Sequence, residues 1–248
     1  MKNVWTIAKR EFDIYFKSPI AYVVIFMVVL VLGIFFVAIV RSAIDSPLQN
    51  FGSAPNVSPL TGTLVFLLVF SIPAFTMRLI SDETRMGTME LLLTAPVRDW
   101  ELIVGKWLGA FLFILTLIAI TLVYPLVLNS MITNGLDSHQ LLYSYLGVIL
   151  VAAAFLGLGV GISSLFTNQI AAFFVTLGVF IFLWWMIGFP ASLLGQSGSV
   201  FHYLDMGAHF NDSLNIGVVY LGDVIYYLSL TVLGLFIGTS AVEMRRWR

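Results

Sequence analysis

Six long apolar runs, each free of Asp, Glu, Lys, Arg and His, constrain this chain more than any other feature. Each run is long enough to cross the roughly 30 Å hydrocarbon core of a bilayer as a helix of about 20 residues. Only 10% of the 248 residues are charged, whereas a soluble domain carries about 25% charged residues. The sequence therefore predicts an all-α membrane protein with six transmembrane helices. Their expected ranges are Ile20–Val40, Leu60–Met77, Trp107–Leu128, Leu141–Phe166, Ile170–Phe189 and Val224–Val242.

We expect one transmembrane domain over residues 1–248, because six spans with short connections use most of the chain. Little length is left for a soluble catalytic domain, which needs roughly 100 residues or more. Cysteine is absent, which excludes disulfides and thiolate sites from the chemistry of this chain.

The placement of Lys and Arg predicts the orientation in the membrane. With six spans both termini share one side, and that side carries eleven of the twelve Lys and Arg residues. Arg41 alone falls on the opposite side. Cytoplasmic loops of membrane proteins are enriched in Lys and Arg. We therefore expect both termini in the cytoplasm, and the chain in a bacterial cytoplasmic membrane.

Two segments outside the spans have enough apolar residues to contact the bilayer or the protein. Residues 2–17 separate charged and aromatic residues onto two helical faces, which is typical of an amphipathic helix lying in the membrane interface. Ser18-Pro19 would end this helix. Residues 190–223 are too apolar for a free loop and too rich in glycine for a span. For this segment we expect short helices in the outer leaflet.

The sequence offers little support for catalysis or for ion-coupled transport. Ionisable groups inside spans mark proton and ion pathways, and the six predicted spans contain none. No phosphate-binding Gly-x-x-x-x-Gly-Lys-Ser/Thr loop is present. If a nucleotide drives this protein, another chain must bind it.

Two weaker motifs lie between the fifth and sixth predicted spans. Gly195-Gln196-Ser197-Gly198 resembles the serine motif of rhomboid proteases, but a histidine base on a later span would be needed and is missing. His202 and His209 share a helical face, with Asp205 as the nearest further ligand for a metal. We interpret the first motif as a flexible turn and the histidines as surface residues.

Small residues recur at every fourth position of the fourth predicted span. Ala153, Gly157 and Gly161 would line one helix face, where a second helix can approach closely. Packing within the chain is the simpler interpretation, and a contact between two copies is the alternative.

Nine of the 25 charged residues lie between Arg78 and Lys106, in the connection between the second and third spans. Ser81 is expected to cap a short helix that Gly87 ends. Thr88 can cap a second short helix, which Pro96 ends. This second helix would carry an apolar surface of three leucines, residues 91–93. That surface either binds another protein or lies against the inner leaflet or the N-terminal helix.

The same connection carries a family resemblance. Residues 73–78 (PAFTMR), 83–96 (ETRMGTMELLLTAP) and Gly105-Lys106 resemble the ABC-2 type transporter permeases. The subgroup associated with gliding motility is the most similar, since Ser18-Pro19-Ile20-Ala21-Tyr22 also resembles its early motif. The motif likeness is specific from Pro73 to Lys106 and only hydropathic elsewhere.

This resemblance implies a transport subunit that is not itself an enzyme. Such permeases pair with a second copy or a paralogous permease, and a cytoplasmic coupling helix binds a separate subunit that holds ATP and Mg²⁺. The chain itself would then bind no cofactor, metal or nucleic acid. The residues that the resemblance assigns to the contact with the ATP-binding subunit are Glu83, Gly87, Thr88, Glu90, Leu91, Leu92 and Pro96.

We therefore expect the membrane-spanning subunit of an ATP-driven exporter. A channel or secondary carrier that works without ATP is one alternative, and a membrane anchor or regulator without transport activity is another. The sequence does not identify the cargo.

The topology can be tested with single cysteines in this cysteine-free chain. A cysteine at Asn50 should react with a membrane-impermeant maleimide added outside the cell. A cysteine at Arg98 should react only after the membrane is opened, because the two positions are predicted on opposite sides. Labelling of both positions from the same side would contradict the six-span topology.

Overall fold

The computed structural model describes residues 2–45, 57–87, 97–131, 135–194 and 199–246. Regular structure in these ranges is entirely helical. The helices are α1 (Lys2–Lys17), α2 (Pro19–Asp45), α3 (Ser58–Leu79), α4 (Ser81–Arg85), α5 (Asp99–Thr121), α6 (Val123–Met131), α7 (Ser138–Leu165), α8 (Gln169–Ile181), a π-helix (Phe182–Met186), α9 (Phe189–Leu194), α10 (Ser199–Leu204), α11 (Met206–Asn211), a 3₁₀ turn (Leu214–Ile216) and α12 (Leu221–Arg246).

Six helical stretches in the described residues are long and apolar enough to cross a membrane, which confirms the predicted fold class. They are carried by α2, by α3 with α4, by α5 with α6, by α7, by α8 with the π-helix, and by α12. The third membrane-spanning stretch begins earlier than predicted, because α5 begins at Asp99 rather than at Trp107. Lys106 therefore lies inside a helix and is buried there.

The fourth span, α7, forms the centre of the bundle, with most of its side chains buried. Helices α3, α5, α8 and α12 pack around it. The spans in α2 and α8 lie at the periphery, since only 11% and 22% of their most apolar windows are buried. Their exposed faces are apolar, as expected of helices that contact lipid or a partner within the bilayer.

The small residues of α7 permit close contact with α12. A Cβ atom on Gly157 would come within 2.8 Å of the Thr231 carbonyl oxygen, and one on Gly161 within 2.5 Å of the Gly234 carbonyl oxygen. Ala153 is buried on the same helix, and its carbonyl oxygen accepts a hydrogen bond from Trp107 Nε1 at 3.2 Å. Gly157 and Gly161 thus lie in a contact within the chain. A contact between copies through this stripe stays a prediction.

Helix α1 lies directly on α5, at the end of the bundle that also carries α4. It covers the range predicted for a helix and ends at Lys17, just before Ser18-Pro19. Two glycines of α5 make the approach possible, because a Cβ on Gly105 would come within 2.8 Å of Ile7 Cβ, and one on Gly109 within 2.6 Å of Glu11 Cβ. We call this end of the bundle the charged end.

The connection between α8 and α12, residues 187–220, is here named the interspan segment. It contains the short helices that the sequence predicts, α9, α10 and α11, and residues 195–198 with the rhomboid-like motif lie outside the described residues. The π-helix leads into it, with the Ile187 amide nitrogen 2.8 Å from the Phe182 carbonyl oxygen. Trp184 of this turn packs against Phe210 of α11, with ring centroids 5.9 Å apart.

Asn215 fastens the interspan segment to the two helices that begin at this end of the bundle. Its Oδ1 accepts a hydrogen bond of 2.5 Å from Thr61 Oγ1 in α3, and its Nδ2 donates to the Ser58 carbonyl oxygen at 3.2 Å. Its own carbonyl oxygen accepts from Ser144 Oγ in α7 at 3.1 Å. These buried, neutral bonds hold the interspan segment opposite the charged end.

The α7–α12 contact can be tested by adding a single methyl group. Gly234→Ala should lower the free energy of unfolding by about 1–3 kcal/mol, because its Cβ would come within 2.2 Å of the Gly157 carbonyl carbon and force the helices apart. Thermal unfolding in detergent would measure the loss. Gly222→Ala, in the same helix with open space around its Cβ, is the matched control and should leave stability unchanged or slightly raised. Equal stability of the two variants would exclude a tight contact at Gly234.

Candidate functional site at the charged end of the bundle

The five-residue helix α4 follows α3 after a break at Ile80 and ends before Gly87, whose φ of +72° suits the left-handed region. The prediction that Ser81 caps this helix is wrong. Ser81 is instead the first residue of the helix, and its hydroxyl donates back to the Met77 carbonyl oxygen of α3. The reason is that α3 and α4 run on with only a short interruption, so no free N-terminal turn is left to cap.

Four consecutive side chains of α4 are hydrogen-bonded to four different helices. We call these four residues with their partners the α4 hub. The pairs are Ser81 Oγ with Ser163 Oγ of α7 at 3.1 Å, Asp82 Oδ1 with Gln169 Nε2 of α8, Glu83 Oε1 with Lys106 Nζ of α5 at 2.8 Å, and Thr84 Oγ1 with Arg245 NH1 of α12 at 2.7 Å. A single helical turn thus connects four of the six spans.

Lys106 is the most deeply buried charge of the hub, with a side chain only 3% exposed. Its ammonium nitrogen lies 2.9 Å from Glu11 Oε1 of α1 and 2.8 Å from Glu83 Oε1 of α4. Arg10 approaches both carboxylates from the exposed side, at 3.7 and 3.8 Å. Two cations therefore face two carboxylates, and the cluster is neutral as a whole.

This neutrality has an energetic reason. Taking an ion out of water costs several kcal/mol, and the attraction between the ions offsets that cost only with good geometry and satisfied hydrogen bonds. Lys106 meets the condition because each of two carboxylates accepts a short, charge-assisted bond from it. Removing Lys106 would leave the Glu11 and Glu83 carboxylates without their buried cation, so α1, α4 and α5 are held together as a unit.

Arg245 forms the second branched contact of the hub. Besides its bond to Thr84, its NH2 donates to the Ser164 carbonyl oxygen at the end of α7, at 2.9 Å. The planar guanidinium carries five donors in a fixed fork, which suits it to contact two elements at once. The last turn of α12 is in this way bonded both to α4 and to α7.

A cavity of about 650 Å³ lies next to the ionic cluster, between α1 and the α3–α4 junction. Phe75, Leu79 and Ile14 form part of its apolar lining, while Lys106 and Arg78 belong to its polar lining. Helix α1 therefore packs closely on α5, whereas the space between α1 and the α3–α4 junction is partly open. Tyr15 and Phe75 are in contact across it, with ring centroids 5.7 Å apart.

Tyr15 also lines this cavity, with its ring stacked on Phe113 at 4.9 Å. Its hydroxyl oxygen is buried and has no hydrogen-bond partner among the described residues. Burial and the nearby Glu11 carboxylate raise the pKa of Tyr15, so the phenol keeps its proton. The residue contributes a neutral donor beside the charged cluster.

The residues that the resemblance assigned to the contact with an ATP-binding subunit divide into two groups, those that the structure describes and those outside the described residues. Glu83 and Gly87 are described, and Gly87 is exposed, whereas the Glu83 carboxylate points inward to Lys106. The others lie in residues 88–96, outside the described part of the chain. They are Thr88, Glu90, Leu91, Leu92 and Pro96.

Sequence reasoning missed most of the hub. Glu11 was the detectable signal, because it lies at helical spacing among Ala8, Phe12 and Tyr15 on the apolar face of α1. A lone carboxylate in such a stripe needs a buried cation as its partner. The partner, Lys106, is 95 residues further along the chain.

The structure separates the three residues that a metal site at His202 and His209 would need. His202 is exposed, Asp205 accepts hydrogen bonds from the amides of Gly207 and Ala208, and His209 is bonded to Asp223. Within the described ranges, no group of three or more His, Asp or Glu side chains is placed to hold a metal ion.

Comparison with known proteins places the chain in a family. The sequence pattern of the family described as "ABC-2 family transporter protein" matches residues 5–202. Among curated proteins, none matches the sequence significantly. The matched range includes most of α1, the whole of α4 and five of the six membrane-spanning stretches. Since it covers most of a multi-span membrane protein, this chain belongs to the ABC-2 family of transporter proteins.

Proposed function

We propose that this chain is the permease subunit of an ATP-driven exporter, and that the α4 hub passes motion from a separate ATP-binding subunit to the spans. The α4 hub is the observation that carries the proposal. It connects α5, α7, α8 and α12 through one helical turn. That turn directly precedes residues 88–96, where the family resemblance locates the coupling helix.

A displacement of residues 88–96 can reach the bundle by two routes, the backbone and the side chains of α4. Helix α4 follows α3 almost without interruption, so a push on residues 88–96 acts on α3 through the backbone. The same push acts on four other helices through the hub bonds. Lys106 extends the connection to α1 through Glu11. A small displacement at one loop is thus shared by most of the bundle.

Gly87, Thr88, Glu90, Leu91, Leu92 and Pro96 are the proposed contact with the ATP-binding subunit. Glu83 belongs to the same proposal but acts differently, because its carboxylate is bonded to Lys106. We assign Glu83 the inner side of the coupling segment, where it passes the displacement on to α5.

The remaining parts of the proposal follow from the family resemblance and from the charge distribution. ATP and Mg²⁺ are held by the partner subunit, and a second permease copy or a paralogous permease completes the transport path. The charged end faces the cytoplasm of a bacterial cell, since the Lys and Arg residues concentrate there. The likeness to permeases associated with gliding motility rests on the early Ser-Pro-Ile-x-Tyr motif.

Substitutions in the coupling segment should release the ATP-binding subunit. Leu91→Asp and Glu90→Lys should each abolish its co-purification with the permease, because they place a charge in an apolar contact or reverse a contact charge. Both variants should insert into the membrane as the unaltered chain does, and the permease purified alone should hydrolyse no ATP.

Asp13→Lys is the matched control for the charge reversal, because Asp13 is exposed on α1. It should leave co-purification unchanged. Full retention of the ATP-binding subunit by both coupling-segment variants would refute the proposed contact.

Lys106→Met should uncouple the bundle while the ATP-binding subunit still binds. The variant removes the cation between Glu11 and Glu83, and loss of one partner of a buried ion pair costs about 3–5 kcal/mol. A single cysteine at Leu142, an exposed residue of α7 remote from the hub in sequence, would serve as the reporter. Its maleimide labelling rate should change on ATP binding in the complex with unaltered Lys106 and stay constant in the variant.

Lys9→Met removes the same charge from an exposed position of α1 and should keep the response. Thr84→Val gives a second, milder test, because it removes the bond to Arg245 without leaving a carboxylate pair unbalanced. A full ATP response in both hub variants would contradict transmission through the hub.

A further inference from the structure

The cavity between α1 and the α3–α4 junction changes from apolar at one end to charged at the other. Along α3 and α4 its lining begins with Ala74 and Phe75 and continues to Asp82 and Met86. At about 1.5 Å per residue, the positions from 74 to 86 extend over about 18 Å. The apolar positions lie deeper in the bundle, and the acidic ones lie at the charged end.

Helix α1 forms the opposite wall of the cavity and has the same order. Its Tyr15 contacts Phe75, with ring centroids 5.7 Å apart, whereas its Glu11 is joined to Glu83 through Lys106. Both walls are therefore apolar at the same end and charged at the same end. Such a gradient fits a molecule that has a hydrocarbon part and a polar part.

The apolar end of the cavity adjoins the surface that faces lipid. Ala21 of α2 belongs to the lining, and the next two residues of α2, Tyr22 and Val23, are exposed. Ile14 lines the cavity from α1 and is exposed as well. Hydrocarbon from the bilayer therefore borders this end, and it would cover apolar surface that water otherwise contacts.

Four of the charged groups in the lining already face one another. Lys106 is bonded to Glu11 and Glu83, and Arg10 approaches the same two carboxylates. This cluster is neutral as a whole. It therefore offers little net attraction to a charged ligand.

Arg78 and Asp82 are the charged residues of the lining that stand apart from this cluster. Arg78 is exposed, and its side chain has no ion pair or hydrogen bond within the described part of the chain. Asp82 accepts a bond from Gln169 through Oδ1, while its Oδ2 has no partner in the described ranges. Asp82 follows Arg78 by about one turn, which places it about 6 Å nearer the charged end.

We propose that this cavity binds a phospholipid whose headgroup carries both a phosphate and a primary ammonium group. One acyl chain lies along Ala74 and Phe75, Arg78 binds the phosphate, and Asp82 binds the ammonium group. From the chain outward, such a lipid presents hydrocarbon, then a negative charge, then a positive charge. In the same direction the lining presents apolar, cationic and anionic residues, so each part of the lipid meets its complement.

Other headgroups match the lining less well. Among the described residues, three cationic and three acidic side chains line the cavity, so the lining has no net charge. An anionic headgroup without an amine would satisfy Arg78 but leave Asp82 without a cation. A trimethylammonium headgroup keeps both charges but has no N–H to donate to the carboxylate.

Native mass spectrometry of the full-length chain in detergent tests the proposal without the ATP-binding subunit, so its outcome does not depend on the proposed coupling role. The chain is freed of co-purified lipid and titrated with phosphatidylethanolamine, phosphatidylcholine or phosphatidylglycerol of identical acyl chains. The first phosphatidylethanolamine should bind about tenfold more tightly than either other lipid, because only its ammonium group donates hydrogen bonds to Asp82. Equal affinities would overturn the proposal, and so would the absence of bound lipid, which is expected if another part of the chain fills the cavity.

Two substitutions separate the contributions of the two headgroup charges. Arg78→Gln should weaken the binding of all three lipids about tenfold, since each carries a phosphate. Asp82→Asn should remove the preference for phosphatidylethanolamine. Arg85→Gln and Asp13→Asn alter exposed charged residues outside the lining and are the matched controls, which should bind as the unaltered chain does. Equal affinities of Arg78→Gln and Arg85→Gln would contradict the phosphate contact.

A photoreactive phosphatidylethanolamine locates the bound chain. With a diazirine in the acyl chain, crosslinks to the full-length protein should map to Ile14, Tyr15, Ala74 or Phe75. Crosslinks confined to the exposed faces of α2 and α12 would mean that the lipid only surrounds the bundle, and the proposed site would be wrong. This measurement uses the unaltered chain, so it still decides if Asp82→Asn, which also changes the contact with Gln169, fails to fold.

Discussion

The position of Lys106 between Glu11 and Glu83 is the interaction on which the charged end depends. A buried ammonium group is tolerated only where anions surround it, and here the two anions belong to different helices. Satisfying one charge therefore requires α1, α4 and α5 to meet at one point. The glycines Gly105 and Gly109 make this possible by letting α1 lie directly on α5. Electrostatics and close packing thus impose the same arrangement.

Local sequence signals predicted the helices but not the contacts between them. The six spans, the helix over residues 2–17 and the short helices between the last two spans all follow from hydropathy and periodicity over a few turns. The hub does not, because its pairs join positions as distant as Thr84 and Arg245, 161 residues apart. Serine is also common in membrane helices, and Gln169 is the first residue of α8, so neither Ser163 nor Gln169 carries a pattern that marks it. Only Glu11, a carboxylate within an apolar stripe, signalled a buried partner.

The two ends of the bundle join their helices through different kinds of bond. The charged end uses ions and a branched guanidinium, whose bonds are strong but costly to break. The opposite end combines neutral bonds around Asn215 with the His209–Asp223 contact. Between them, α7 and α12 meet backbone to backbone through glycines, a contact that permits little bending. The middle of the bundle is therefore held by close backbone packing, and both ends by polar bonds.

The π-helix at residues 182–186 has a consequence for the register of everything that follows it. A π-turn holds one more residue than an α-turn, and one residue corresponds to about 100° of rotation around a helix axis. That extra residue sets the direction in which the chain leaves the fifth span, and with it the side on which His209 meets Asp223. One residue more or fewer before position 187 would turn the following chain by about 100°, so it would have to be compensated within the same turn to keep Trp184 against Phe210.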